Sequence, residues 1–292
     1  MRYRWMQAHQ DVYPVAAMCR VLRAGPSGYY EWLGRPPSAT QQRRERITEA
    51  VKTSHAASNG IYGYRKVHAD LQAAGVACCA ETVRRQMAAN GLKSRRKRRF
   101  VATTDSRHTL PVAPNRLQRD FTAAGPNQKW LADITYVPTA EGWLYLAAVE
   151  DVFSRRIVGW AMGDRIDTNL VQTALKMAAR QRLPEAGLLL HSDRGVQYAS
   201  DAYQQNLRDL EIVCSMSRKG DCWDNAMMES FFGNLKTEGV DGKDYQTREE
   251  AKTDLFLYIE VFYNRQRRHA GLGYVSPADY EARPAPTPGQ AA

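Results

Sequence analysis

Three carboxylates stand where an apolar framework has no use for them. Asp133 lies inside the strand-like run "WLADITY", Asp193 ends the apolar run "GLLLHSD", and Glu229 lies in "NAMMESFFGNLK". Met228, Phe231, Phe232 and Leu235 have the i, i+3, i+4, i+7 spacing of a buried helical stripe, and Glu229 sits beside it. An acid among strand-forming apolar residues is expensive to bury unless it is paired or holds a metal. If the three converge to about 5 Å at an effective dielectric near 20, each pair repels by roughly 3 kcal/mol. Without a cation some would then take up protons. A hard divalent ion removes that cost, because Mg²⁺ prefers oxygen ligands in octahedral geometry. Two such ions about 3.5–4 Å apart can clamp the attacking and leaving oxygens of an in-line phosphoryl transfer. Singly, each acid has a plainer reading: Asp193 as a polar strand end, Glu229 as a solvated helical residue, Asp133 as a buried partner of an arginine.

The elements that must position these acids follow from the pattern around them. Past Pro126, "KWLADITYV", "GWLYLAAVEDV" and "RIVGWAMG" read as three strands separated by short turns. A helix, "DTNLVQTALKMAARQR", follows with Asp167 or Thr168 as cap, and then the strand that Asp193 ends. A helix "SDAYQQNLRDL", a short strand "EIVCSMS", a long helix from near Trp223 with Asp224 as a possible cap, and another over about 247–265 complete the pattern. Strands in a meander, then strands alternating with helices, argue for a mixed α/β sheet. On a regular helix Asn225, Glu229 and Lys236 would share one edge.

The front of the chain has a different character. Residues 1–124 carry 22 Lys and Arg against 8 Asp and Glu, a net of +14, whereas the remainder is net −4. Such segregation points to a polyanion-binding half, with nucleic acid the favoured polyanion. Two short helical patterns occupy residues 1–40, with Ser27 a plausible cap, and an amphipathic pattern begins at Gln41 with Ile47 and Val51 on one face. A helix over 65–73, the turn at Gly75 and a helix over 80–90 closed by Gly91 make a helix-turn-helix pattern. Val67, Leu71, Val83 and Met87 would face inward and leave Arg84 and Arg85 exposed on the second helix. The basic run "KSRRKRRF" contributes Lys93, Arg95, Arg96, Lys97, Arg98 and Arg99 as phosphate contacts, whose affinity would be salt-dependent. Residues 101–124 read as a linker. No apolar run approaches the roughly 20 residues of a membrane span, and the first residues lack the apolar region of a secretory signal. Five scattered cysteines show neither a disulfide framework nor a zinc spacing, which favours a reducing cytoplasm.

The series Asp133, Asp193, 35 intervening residues, Glu229 and then Lys236 resembles the catalytic core of DDE transposases and retroviral integrases. The strings "PNQKWLADITYVPTAEGWLYLAAVEDVFSRRIVGWAM", "HSDRGVQYAS", "SMSRKGDCWDNAMMESFFGNLKTE" and "YNRQRRHAGLGYVSPADY" are similar to the transposase subunit of bacterial insertion sequences, as are "CRVLRAGPSGYYEWLGR" and "GIYGYRKVHADLQAAG" in the front half. The resemblance spans about residues 10–282. It implies an RNase H-like catalytic core over 125–282, with a mixed five-stranded sheet and flanking helices. An all-α helix-turn-helix region over 41–100 and the linker over 101–124 precede it, and the tail over 283–292, outside the resemblance, reads from its composition as disordered. The resemblance further implies Asp133, Asp193 and Glu229 as catalytic ligands of two Mg²⁺ or Mn²⁺ ions. Their chemistry would cut double-stranded DNA at terminal inverted repeats and join the freed 3′-hydroxyl to target DNA. Asn225 would orient Glu229 or touch DNA, Lys236 would grip phosphate, and Tyr263, Asn264, Arg267 and His269 would shape the end of the core, with phosphate contact open to Arg267. His191 is expected as a packed strand histidine and Asp151 as a structural acid. Glu150 departs from the family pattern, which has an apolar residue there, and the zinc-binding module of retroviral integrases is absent, which leaves end recognition to the front half. Because strand transfer joins two ends, at least a homodimer is expected, acting at the nucleoid in the bacterial cytoplasm, alone or fused to an upstream helix-turn-helix protein. A catalytically inactive repressor and a structure-specific nuclease are the competing functions.

Overall fold

A computed structural model of the chain describes residues 1–95, 110–218 and 222–283. The first forty residues form three helices where the sequence pattern suggested two: α1 (Arg2–Ala8), α2 (Val15–Leu22) and α3 (Pro26–Gly34). The extra one, α1, carries no side-chain cap, and its buried Met6 meets Met18, Cys19 and Tyr29 in a small separate core. Gly25, not Ser27, caps α3, because Pro26 takes the first helical position, where its missing N–H costs nothing.

Ser38 then caps α4 (Ala39–Ala57), accepting from the backbone of Gln41 at 3.2 Å. With α5 (Tyr64–Ala73) and α6 (Ala80–Ala89) it buries Ile47, Val51, Val67, Leu71, Val83 and Met87 in one cluster. Gly75 and Gly91 take φ of +73° and +68°, the left-handed conformation that ends α5 and α6.

The larger unit is built on β1 (Lys129–Thr139), β2 (Gly142–Asp151), β3 (Ile157–Gly163), β4 (Leu189–Ser192) and β5 (Val213–Met216) in the order β3-β2-β1-β4-β5. β1–β2 and β2–β3 are antiparallel; β1–β4 and β4–β5 are parallel. Helices α7 (Thr168–Arg182), α8 (Val196–Ala199) and α9 (Asp201–Asp209) cover one face. Asp167 caps α7, and Gly159 of β3 lets it close in, since a Cβ there would lie 2.3 Å from the Ala174 carbonyl. The other face carries α10 (Ala226–Leu235), α11 (Arg248–Phe256) and, near the end of the chain, α12 (Pro277–Glu281) lies against the sheet edge through Glu281.

Two features escaped the sequence pattern. Both α10 and α11 continue as π-helical turns, over Lys236–Val240 and Leu257–Tyr263. The second half of the stretch read as a linker is irregular yet packed: Leu117 is buried on the α10 side of the sheet, and Ser215 Oγ accepts from the backbone of Arg116 at 2.9 Å.

The helical domain is seated on the larger unit. Phe262 of the second π turn packs against both cores. Tyr62 accepts from the backbone of Arg268 (2.8 Å) and donates to the Gln266 carbonyl (3.2 Å), while the Arg268 guanidinium pairs with Asp70.

Candidate active site

Side-chain alternation decides where the acids point. Leu131 and Val137 of β1 enter the core beneath α10, so Asp133, two residues from Leu131, shares that face. The parallel register pairs Ala132 with Ser192, and Asp193 is the next residue after β4, so its backbone follows beside Asp133. Glu229 stands in the first turn of α10, at the edge of the stripe of Met228, Phe231, Phe232 and Leu235 that is buried against the sheet. The three acids thus gather at the carboxyl end of the parallel pair, where open α/β sheets bind ligands.

All three are partly exposed, open to solvent ions rather than sealed. Withdrawal from water pushes the Asp133 carboxyl well above its usual range, and the charges of Asp193 and then Glu229 push it further. A backbone N–H from Ile134 (2.7 Å) and the Lys236 ammonium act the other way. Burial also raises Glu229. Asp193 accepts from the backbone of Gly195 at 2.9 Å, which fixes one of its oxygens. Tyr198, buried and raised by burial, feels the charges of both aspartates. Among the described residues no three His, Cys, Asp or Glu side chains are already closed into a metal cage. The donor set itself fits Mg²⁺ or Mn²⁺: three hard oxygen donors, accessible, with excess negative charge that raises one pKa.

Lys236 lies beside this charge, its ammonium 4.7 Å from the centre of the Tyr136 ring; burial lowers its pKa while Asp133 and Asp241 raise it. Asn225 is buried at the N-cap of α10 and its amide donates to the Ala132 carbonyl at 3.4 Å, which ties the helix that carries Glu229 to β1. Asp224 is not a cap. It accepts from Arg218, Arg119 (3.0 Å) and Asn115 (2.8 Å), which pins the packed irregular stretch and the end of β5 to the start of α10. Arg267 is likewise unavailable to phosphate: its guanidinium is buried against Glu238 through two bonds of 2.6 Å. His191 is a core residue between Ser215 (2.8 Å) and Ser217 (3.1 Å), and burial lowers it to about 4. Asp151 accepts from the backbones of Asn127 and Phe153 and faces Arg182, holding a loop. Tyr263, Asn264 and His269 are buried at the same end of the core; Asn264 brackets the backbone of Ile157 through both amide atoms.

In the helical domain Arg84 and Arg85 are exposed on α6 and both pair with Glu81, holding its carboxyl down to about 2. Lys93 is exposed, and Arg95, also exposed, donates to the Glu238 carbonyl at 3.3 Å. Arg96, Lys97, Arg98 and Arg99 lie outside the described residues, as do residues 284–292 of the tail. Among the described residues no helix is long and apolar enough to cross a membrane. Glu238, Asp224 and Glu81 were missed as site-shaping residues; only the arginines three or four residues from Glu81 were a local signal.

Comparison with known proteins adds a line independent of this geometry. Residues 123–222 match the integrase core domain family, residues 229–284 match a second integrase core domain family, and residues 42–100 match an HTH-like domain family. The chain is 44% identical over 266 residues, 91% of its length, to the insertion element IS600 uncharacterized 31 kDa protein of Shigella sonnei, 98% of which is covered. It is 41% identical over 283 residues, 96% of its length and 98% of the relative's, to the transposase InsF for insertion sequence IS3A of Escherichia coli (strain K12). The HTLV-2 integrase catalytic core domain, solved in complex with magnesium, aligns with 55% of the chain and 99% of its own at 15% identity and a TM-score of 0.43.

Proposed function

The chain belongs to the insertion-sequence transposases built on an integrase core domain, and on that premise we propose that Asp133, Asp193 and Glu229 carry its chemistry. The observation that supports this most directly is the placement of three carboxylates at one end of the parallel strands, from β1, just after β4 and the first turn of α10, with the charges of Asp193 and Glu229 both acting on Asp133. These residues would hold two Mg²⁺ or Mn²⁺ ions, which when bound supply charge stabilisation to the attacking and leaving oxygens of a phosphodiester. Asp193 is anchored by the Gly195 N–H at the mouth of the parallel strands. Glu229 would complete the set from the first turn of α10. Lys236 presents an ammonium beside Asp133, where a phosphate oxygen would lie.

The substrate in this reading is double-stranded DNA: the terminal inverted repeats of the element, then target DNA. Recognition falls to residues 41–100, through α6 and the basic run that follows, and catalysis to residues 125–282. Joining two ends calls for at least a dimer, working in the bacterial cytoplasm at the nucleoid.

The test is cleavage and joining of labelled DNA that carries the element's own ends, with Mg²⁺, Mn²⁺ or EDTA. Wild type should join strands only with metal. Glu229→Gln should bind the ends as wild type does and join none. Binding without chemistry in wild type would overturn the assignment in favour of a repressor, and cleavage without joining would indicate a nuclease.

A further inference from the structure

The two π turns touch each other, and the contact centres on Glu238. Its carboxylate, almost fully buried, accepts two 2.6 Å bonds from Arg267 and one of 2.8 Å from Tyr258 of the second π turn. Its backbone carbonyl accepts from Arg95, which belongs to the helical domain. One residue on, Gly239 allows close approach, since a Cβ there would lie 3.1 Å from the Tyr258 ring. Two residues earlier, in the same turn, stands Lys236 beside the acids.

Arg267 and Arg268 are neighbours with opposite destinations. Arg267 enters the core to Glu238, while Arg268 faces outward to Asp70, and its backbone N–H is held by Tyr62. Phe262 on the same π turn as Tyr258 packs into the core of the helical domain. Three contacts of that domain, Arg95 at the Glu238 carbonyl, Asp70 at Arg268 and the core around Phe262, therefore meet the two π turns or the residues just after the second. A π turn within a helix is rare and is seen frequently at functional sites.

We propose that Glu238 is a positioning residue: through Arg267, Arg268 and Asp70, the seating of the DNA-binding domain sets the π turn that aims Lys236 at the phosphodiester. A transposase that grips an element end would in this way gain a correctly placed ammonium only while its helical domain is docked. The inference rests on the transposase reading above.

The experiment uses the full chain with Asp70→Asn, Arg268→Ala, Glu238→Gln and Lys236→Ala, assayed for strand transfer and for binding of a single element end. Arg268→Ala and Asp70→Asn should lower strand transfer about tenfold, as a catalytic group displaced by a fraction of an ångström would. End binding should stay within about twofold, because neither residue lies on α6 or in the basic run. Added to Lys236→Ala, Arg268→Ala should cost nothing more, the signature of residues that act as one unit. Losses that multiply, or transfer at the wild-type level in both junction variants, would overturn the proposal. A second readout needs no catalysis: after reductive ¹³C-methylation, the Lys236 signal should be displaced by the Tyr136 ring beneath it and should return toward the free-lysine position in Arg268→Ala. A Lys236 signal indifferent to Arg268 and to Asp70 sinks the coupling even if wild type joins DNA. Wild type that joins nothing, with the signal responding as expected, refutes only the transposase chemistry. The two junction variants lie at a partly exposed contact, so the outcome does not depend on Glu238→Gln folding.

Discussion

Two sets of acids in this molecule live under opposite rules. Asp224, Glu281 and Glu238 are each met by arginine: Arg218 and Arg119 on the first, Arg156 and Arg182 on the second, Arg267 on the third. The guanidiniums, Arg218 above all at Asp224, hold the carboxyls of Asp224 and Glu281 below their usual range. Asp133 and Glu229 are instead raised, by burial first, and at Asp133 the charges of Asp193 and Glu229 add to it while Lys236 acts the other way. A carboxylate matched by a guanidinium fastens structure; in the proposed function the raised acids would instead meet a metal ion.

Neutralising a member of each set should separate them most sharply. Asp133→Asn should lower strand transfer roughly a thousandfold, the several kcal/mol of stabilisation that metal-held charge provides. Its thermal midpoint in EDTA should rise, because repulsion is relieved; a fall would show that Asp133 is structural. Asp224→Asn should do the reverse to stability, costing about 3 kcal/mol in urea unfolding, as a buried charge-assisted network loses its acceptor. An unchanged midpoint would remove Asp224 from the fastening set.

Glu150 is the informative intermediate. It is buried, one oxygen has no hydrogen-bond partner among the described residues, and burial pushes it up to about 8. Because that lies above its ordinary value of 4.5, the folded chain keeps a proton that the unfolded chain gives up. Its contribution to stability is then full below about pH 4.5 and is lost as pH rises to about 8, by something on the order of a few kcal/mol. Glu150→Gln should flatten this slope, measured as urea midpoints at pH 5 and pH 8. Equal slopes in both proteins would mean that Glu150 is already paired. A buried acid outside the site would thus respond to protons, whereas the proposed site would respond to metal.

Much of this was legible in local pattern. The stripe of Met228, Phe231, Phe232 and Leu235 announced which side of α10 is buried and left Glu229 at the edge. Val67, Leu71, Val83 and Met87 did the same for the helix-turn-helix pair, and all four are buried. What failed was long-range or small. Asp224 looks like a cap from its neighbours, but its partners Arg119 and Asn115 lie over a hundred residues away along the chain. Arg267 is basic by composition and unavailable by burial, because its partner Glu238 comes from another element. The π turns insert a single residue into a helical period, a change too slight for apolar spacing to register. Glu238 could be named only once Lys236, Tyr258 and Arg267 had been brought together.

The order of strands in the sheet also sets an order in time. β1, β2 and β3 pair with their chain neighbours, but β1 meets β4 only when Lys129 finds Leu189, sixty positions further on. Pairings that close long loops are late and slow in folding. During synthesis the helical domain emerges first and folds on local contacts, Asp133 follows within a local hairpin, and Glu229 leaves the ribosome after both aspartates. A chain interrupted before that point would carry both aspartates without Glu229, and so would lack the third carboxylate of the proposed site.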